Sequence, residues 1–202
     1  DGKVRAIVLA RMVSDGVWHF YITWMPLYLA EAWGYNLKDI GLYAWIPFLF
    51  GAAGGVFGGS FSDRLIRRGV SPAVARKRVL FTAGLVAPLG VTIGFAQSSA
   101  VALGLIAIVA FVVYIWFITT AALVTDIFPR RVVASVLGLM GTAGTLGGMA
   151  LNWLAGYTLD TYHSYTPIFF VAGSGHLLAT LILFFFMREK VSAGDANRGS
   201  ST

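Results

Sequence analysis

Residues 5–28 read RAIVLARMVSDGVWHFYITWMPLY, and this stretch decides the fold. It is long enough to cross a bilayer, because ~20 apolar residues at ~1.5 Å each span the hydrocarbon. Yet it holds Arg11, Asp15 and His19 within the span. A charge at the centre of a membrane helix costs roughly 2.5–3.5 kcal/mol on insertion scales, so such residues face a bundle interior or a wet cavity. Arg11 and Asp15 are four apart, on one helical face and within pairing reach. Trp18 and Ile22 continue nearly the same stripe, with His19 to one side. Pro26 removes a backbone hydrogen bond near the far end and permits a bend. A polar stripe with an aromatic, on a helix that can bend, suits a solute pathway.

Composition agrees with a membrane protein. Of the 202 residues 57% are hydrophobic and 12% charged, and mean hydropathy is +0.76. Soluble domains carry about 25% charged residues. There is no cysteine, which excludes disulfide frameworks and Cys-ligated metals. The net charge of +6 raises nucleic acid as a partner, but the basic residues are placed by membrane side, and no nucleic acid is expected. The sequence begins at Asp1 without an initiator Met, n-region or cleavage site, and is expected to be processed or part of something longer.

The hydrophobic pattern gives an all-α membrane protein with six transmembrane helices, at about 5–30, 38–62, 78–97, 100–124, 131–156 and 166–187. Gly34-Tyr35-Asn36, Gly69 to Pro72 and Phe128-Pro129 mark joints. Residues 1–190 read as one bundle, and 191–202, small and polar, as a disordered cytoplasmic tail. Alternate loops share one side. That side holds Lys3, Arg5, Arg64, Arg67, Arg68, Arg76, Lys77, Arg78, Arg130, Arg131, Arg188, Lys190 and Arg198, against Lys38 alone on the other. The positive-inside rule therefore puts both termini in the cytoplasm, with the chain integral to an inner or plasma membrane.

Glycine is the next signal. The second span carries Gly51, Gly54, Gly55, Gly58 and Gly59, and the fifth carries Gly138, Gly141, Gly144, Gly147 and Gly148. At three- and four-residue spacing, small residues let backbones approach where lipid supplies no hydrophobic drive. Close packing accounts for the motif itself. Its placement says more: each glycine-rich helix is second in a group of three, and each group opens on a longer, aromatic-rich helix. The basic loop follows the second helix in the first group and precedes it in the second. That is the pattern of a three-plus-three inverted repeat.

The sharpest local motif is Gly59-Ser-Phe-Ser-Asp63-Arg64-Leu-Ile-Arg67-Arg68-Gly69 at the cytoplasmic end of the second span. Gly59 admits a neighbouring helix, Asp63 can accept at another helix N-terminus, and Arg64, Arg67 and Arg68 can anchor at headgroups or pair with carboxylates. This reads as a gating loop. The motif resembles the signature loop of the major facilitator superfamily, in the copy after the eighth helix. Arg11-x-x-x-Asp15-x-x-Trp18 with Phe20-Tyr21-Ile-Thr-Trp24-Met-Pro26-Leu-Tyr28-Leu29 resembles the seventh helix of its anion:cation symporter branch. Tyr35-Asn-Leu-Lys-Asp-Ile-Gly41 through Trp45-Ile-Pro47-Phe48 resembles the hexuronate transporters of that branch, and Thr125-Asp126-Ile-Phe-Pro129 with Ser135-Val-Leu-Gly138-Leu-Met-Gly141 is similar to the same group.

The resemblance covers residues 4 to about 190 and implies helices seven to twelve of a twelve-helix fold, so a missing N-terminal six-helix half becomes a partner. It implies secondary active transport, with uptake of a small organic anion (a hexuronate, aldonate or aldarate) coupled to a proton or sodium ion. The residues suit a monoanionic sugar acid. Arg11 offers charge, His19, Thr23, Thr119 and Thr120 offer imidazole or hydroxyls, and Trp18, Trp45 and Trp116 offer aromatic faces. Two readings of Arg11 and Asp15 stay open, a substrate contact and a buried structural pair. Asp15 is a secondary proton carrier, since the resemblance puts the main carriers in the first half. Two positions depart from the family pattern: Ala52 stands where an acid is frequent, and Val113-Tyr114-Ile115-Trp116 keeps only the Trp of a His-Gln-x-Trp pattern.

Asn152 reads as a packing hydrogen bond or a substrate contact, and His163 as a solvated loop residue. Ser174 and His176 suggest a nucleophile with its base, but two residues on one helix lie about 200° apart and point away from each other. No enzyme, cofactor or metal is expected. The isolated chain is expected to hold one wall of a cavity, with the lipid bilayer as its solvent. The alternative is a stand-alone six-helix protein that dimerises through its glycine helices as a channel or a non-transporting receptor.

Overall fold

A computed structural model describes residues 2–186, and these are helices joined by short turns and irregular links. The order is α1 (Gly2–Trp33), α2 (Leu37–Tyr43), α3 (Ile46–Arg67), α4 (Pro72–Val86) running into a 3-10 stretch (Ala87–Phe95), α5 (Ser99–Ile127), α6 (Arg130–Tyr162) and α7 (Thr166–Phe186). The all-α reading holds. Five segments are long and apolar enough to cross a membrane by length and composition, beginning at Leu37, Pro72, Ser99, Arg130 and Thr166. α1, the remaining long helix, has 32 residues but carries the polar stripe. The tail at 191–202, with Arg188, Lys190 and Arg198, lies outside the described residues.

Two spans differ from the uniform helices expected. The second is broken: Asn36 caps α2 with a complete capping box on Asp39, α2 ends at Ala44, and α3 restarts with Pro47 in its first turn. A ring without an N–H is tolerated at a helix start and disruptive inside. The third span leaves α geometry at Ala87, next to Pro88. There the missing proline donor removes an α-type hydrogen bond, and the chain tightens into 3-10 turns.

Two close seams build the bundle. Met12 of α1 turns its carbonyl onto Gly147 of α6, where an added Cβ would collide with it. Phe111 of α5 does the same to Gly54 of α3. Each glycine-rich helix thus rests on a backbone carbonyl of the helix that opens the other group of three. By contrast, Gly59, Gly138 and Gly141 face open space among the described residues. Of the five apolar segments, those of α3 and α6 are the least buried, 17% and 33% against 56% for α5. One face of each is packed and the other is free.

The core lies in two layers along the bundle axis. One gathers Ile7, Ala83, Trp116, Leu123 and Met140, and the other Phe20, Tyr28, Ile93, Ile106 and Phe169. The polar stripe of α1 crosses between them.

Candidate functional site

Arg11 and Asp15 meet as the helical spacing requires. The guanidinium Nη2 lies 2.8 Å from the Asp15 carboxylate, with side-chain exposures of 6% and 10%. Taking two charges out of water costs several kcal/mol per ion, so such a pair persists only when geometry and further bonds offset the loss. Three additions are present. Ser14 Oγ donates to Asp15 Oδ1 at 3.3 Å. Arg11 Nη1 donates to the Phe117 carbonyl at 3.4 Å. The guanidinium also sits 4.0 Å from the centroid of the Phe117 ring, a cation–π contact of the kind desolvation strengthens. Arg11 Nε is buried without a partner, so the pair is not saturated.

Gly144 makes room for this. A Cβ there would strike the Asp15 carboxylate, and one at Gly148 would strike the His19 ring. The glycines of α6 therefore let α1 bring two polar side chains, Asp15 and His19, against another helix. His19 hydrogen-bonds the Asp15 carbonyl through Nδ1 at 2.8 Å.

Around the pair the rings come mainly from α5 and α3. Trp18 meets Tyr114 edge-on at 4.8 Å and Phe48 at 5.9 Å. Small clefts lie beside Trp18, one lined by Tyr114 and Phe117 and the other by Tyr21 and Phe48. Tyr114, Phe117 and Phe48 were not among the site residues read from the sequence. The signal was available: Tyr114 and Phe117 are three apart and share a face of α5, whereas Trp116 is two from Tyr114 and points away.

The remaining sequence candidates fall elsewhere. Trp116 is fully buried, donates its indole N–H to Thr180 at 3.1 Å and stands edge-on to His176. Thr120 turns its hydroxyl back to the Trp116 carbonyl, and Thr119 is buried with its hydroxyl unpartnered. Thr23 is exposed on α1. Trp45 is 55% exposed at the α2–α3 break and donates to the Leu42 carbonyl. Asn152 accepts from Trp24 Nε1 at 3.0 Å and ties α6 to α1. His163 sits exposed in the left-handed region at the end of α6. So the structure gathers Arg11, Asp15, Trp18 and His19, while Trp116, Thr120 and Asn152 bond other partners and Trp45 and Thr23 are exposed.

At the opposite end of α3 the motif finds a partner the sequence did not offer. Asp63 pairs with Arg76 of α4 at 2.9 Å, and Arg76 Nε also reaches Asp126 of α5 at 3.1 Å. The same guanidinium bonds Ser62 Oγ. One arginine thus joins three helix ends. Arg64, Arg67 and Arg68 are exposed, and no described acid pairs with them. Outside the membrane at the other end, Tyr165 donates to Glu31 at 2.7 Å. Burial, then this carboxylate, push its phenol above the usual range.

Known proteins are similar to this chain over most of its length. It is 32% identical over 187 residues to the hexuronate transporter of Escherichia coli K12, covering 91% of this chain and 43% of that protein. It is 30% identical over 170 residues to the probable galactarate/D-glucarate transporter GarP of the same organism, covering 84% and 38%. It is 29% identical over 177 residues to the hexuronate transporter of Bacillus subtilis 168, covering 84% and 41%. The chain therefore spans less than half the length of these relatives. The model of the Major Facilitator Superfamily matches residues 7–201, reaching into every helix described above, and the chain belongs to that family.

Proposed function

We propose that this chain is the C-terminal six-helix half of a twelve-helix transporter that moves a sugar-acid anion, a hexuronate or close relative, together with a proton or sodium ion. The observation that carries the reading is the buried Arg11–Asp15 pair, held under Phe117 and beside Trp18, in a chain about 30% identical to proteins named for sugar-acid transport. An arginine with an unspent donor can take a carboxylate in two-point fashion. The rings beside it suit the apolar face of a sugar.

The coverage of relatives supports the half-length reading, as do the free faces of α3 and α6. The exchange of seams, α3 on α5 and α6 on α1, supports a three-plus-three inverted repeat, because a two-fold operation would swap these pairs. The basic residues on alternate loops support cytoplasmic termini. Transport then follows from rocking of two six-helix bundles about a site between them. Asp63, Arg76 and Asp126, with Gly59, Arg64, Arg67 and Arg68 around them, form the inner gate: the ion pairs hold three helix ends together and must yield when that side opens.

Uptake of radiolabelled glucuronate into proteoliposomes, with a pH or a sodium gradient imposed separately, tests the function. Saturable, gradient-driven uptake by the complete protein and none by residues 1–202 alone is the expected result. Gradient-driven uptake by the isolated chain would overturn the half-transporter reading, and ohmic conductance would favour a six-helix dimer acting as a channel. For the gate, Arg76→Gln is expected to slow uptake at least tenfold with protein yield near that of the parent, whereas Arg64→Gln changes it less than twofold. Equal effects of the two substitutions would remove Arg76 from its central place.

A further inference from the structure

α6 and α7 scarcely touch, and between them, floored by α1, runs an apolar groove of about 570 Å³. Leu9, Met12, Gly16, Ala150, Leu154 and Ser174 are among its walls. On α7 the groove extends from Phe170 to Ile182, roughly 18 Å at ~1.5 Å per residue. That is about one leaflet of a hydrocarbon layer ~30 Å thick. A helix of ~10 Å diameter would fill roughly 1,400 Å³ over the same length and could seat only in part. A single acyl chain fits.

The end of the groove near Leu9 and Ile182 is the basic end of the bundle. Arg5 is four residues before Leu9, on the same face of α1, exposed and paired with no described acid. The positive end of the α1 dipole lies there as well. We propose that the groove is a lipid site: one acyl chain of an anionic phospholipid lies along α1 between α6 and α7, with its phosphate on Arg5. The lipid fills the space that the sparse α6–α7 contact leaves.

Native mass spectrometry of the detergent-purified protein, given dioleoyl phosphatidylglycerol or dioleoyl phosphatidylcholine, tests this. One phosphatidylglycerol per protein is expected to survive, at least five times more often than phosphatidylcholine. Ala150→Phe and Ser174→Phe, which fill the groove from different helices, should each cut retention of both lipids about fivefold. Arg5→Gln should abolish the preference, cutting phosphatidylglycerol retention to the level of phosphatidylcholine. Undiminished retention in both filling variants, an intact preference in Arg5→Gln, or cross-linking of a photoreactive side chain at Ala150 to protein instead of lipid would each overturn the proposal.

Discussion

Asp15→Asn is expected to destabilise the protein by about 3–5 kcal/mol, because it leaves the Arg11 guanidinium charged in a dry site with its compensating carboxylate gone. The loss should exceed that of any surface ion pair, which is worth about 0–1 kcal/mol. Nothing nearby can take over: Ser14 is a weak acceptor, and the Phe117 ring and carbonyl already face the same guanidinium. Arg11→Gln leaves an unpaired carboxylate and should cost a similar amount. The double variant, Arg11→Gln with Asp15→Asn, removes both charges and keeps groups that can hydrogen-bond at the same spacing. It should regain most of the thermal stability. A coupling energy of about 2 kcal/mol or more between the two sites is the quantity to measure, from unfolding of the purified parent, single and double variants.

The same four proteins separate the two roles of Arg11. If the guanidinium meets the substrate, the refolded double variant binds no anion and takes none up. If the pair only neutralises itself, the double variant transports like the parent, and the proposed anion site must lie elsewhere.

Much of this was legible from residue spacing. A four-residue interval put Arg11 against Asp15, and helical periodicity predicted that Gly144 and Gly147 would line up as a packing stripe. Such local arithmetic fails once a contact depends on which helices become neighbours. Arg76 appears in the sequence as one of three consecutive basic residues in a loop, and Asp126 lies fifty positions beyond it. Their meeting at Asp63 follows from the packing of α3, α4 and α5. The surroundings of Trp116, expected as an aromatic face, were hidden for a different reason. An indole in a membrane helix can serve a cavity or close a core hydrogen bond, and Thr180 sits on another helix, so residue type alone could not separate these uses. The break at Ala44 and the 3-10 stretch at Ala87 each lie beside a proline, and reading Pro47 and Pro88 as helix punctuation would have found both.

The second large effect is expected at the seams. Gly147→Leu and Gly54→Leu should each prevent accumulation of folded protein. Overpacking a core ordinarily costs about 1–3 kcal/mol, because side chains rotate out of the way. Here the obstructing atom is a backbone carbonyl, of Met12 or of Phe111, held in its own helical hydrogen bond and unable to rotate. The helices must separate instead, and in lipid no hydrophobic drive pulls them back. At the α1–α6 seam the separation would also pull Asp15 and His19 away from α6. Gly141→Leu provides the contrast, since its Cβ enters open space within this chain. Fluorescence-detected size exclusion of tagged protein should give a monodisperse peak for Gly141→Leu and aggregate for the other two. Measured on the six-helix chain and on the complete protein, Gly141→Leu also tests the architecture. A residue that is free in the half and intolerant in the whole must face the other half. Equal tolerance in both would mean that this face of α6 is turned to lipid, and the interface between halves would have to be sought on another surface.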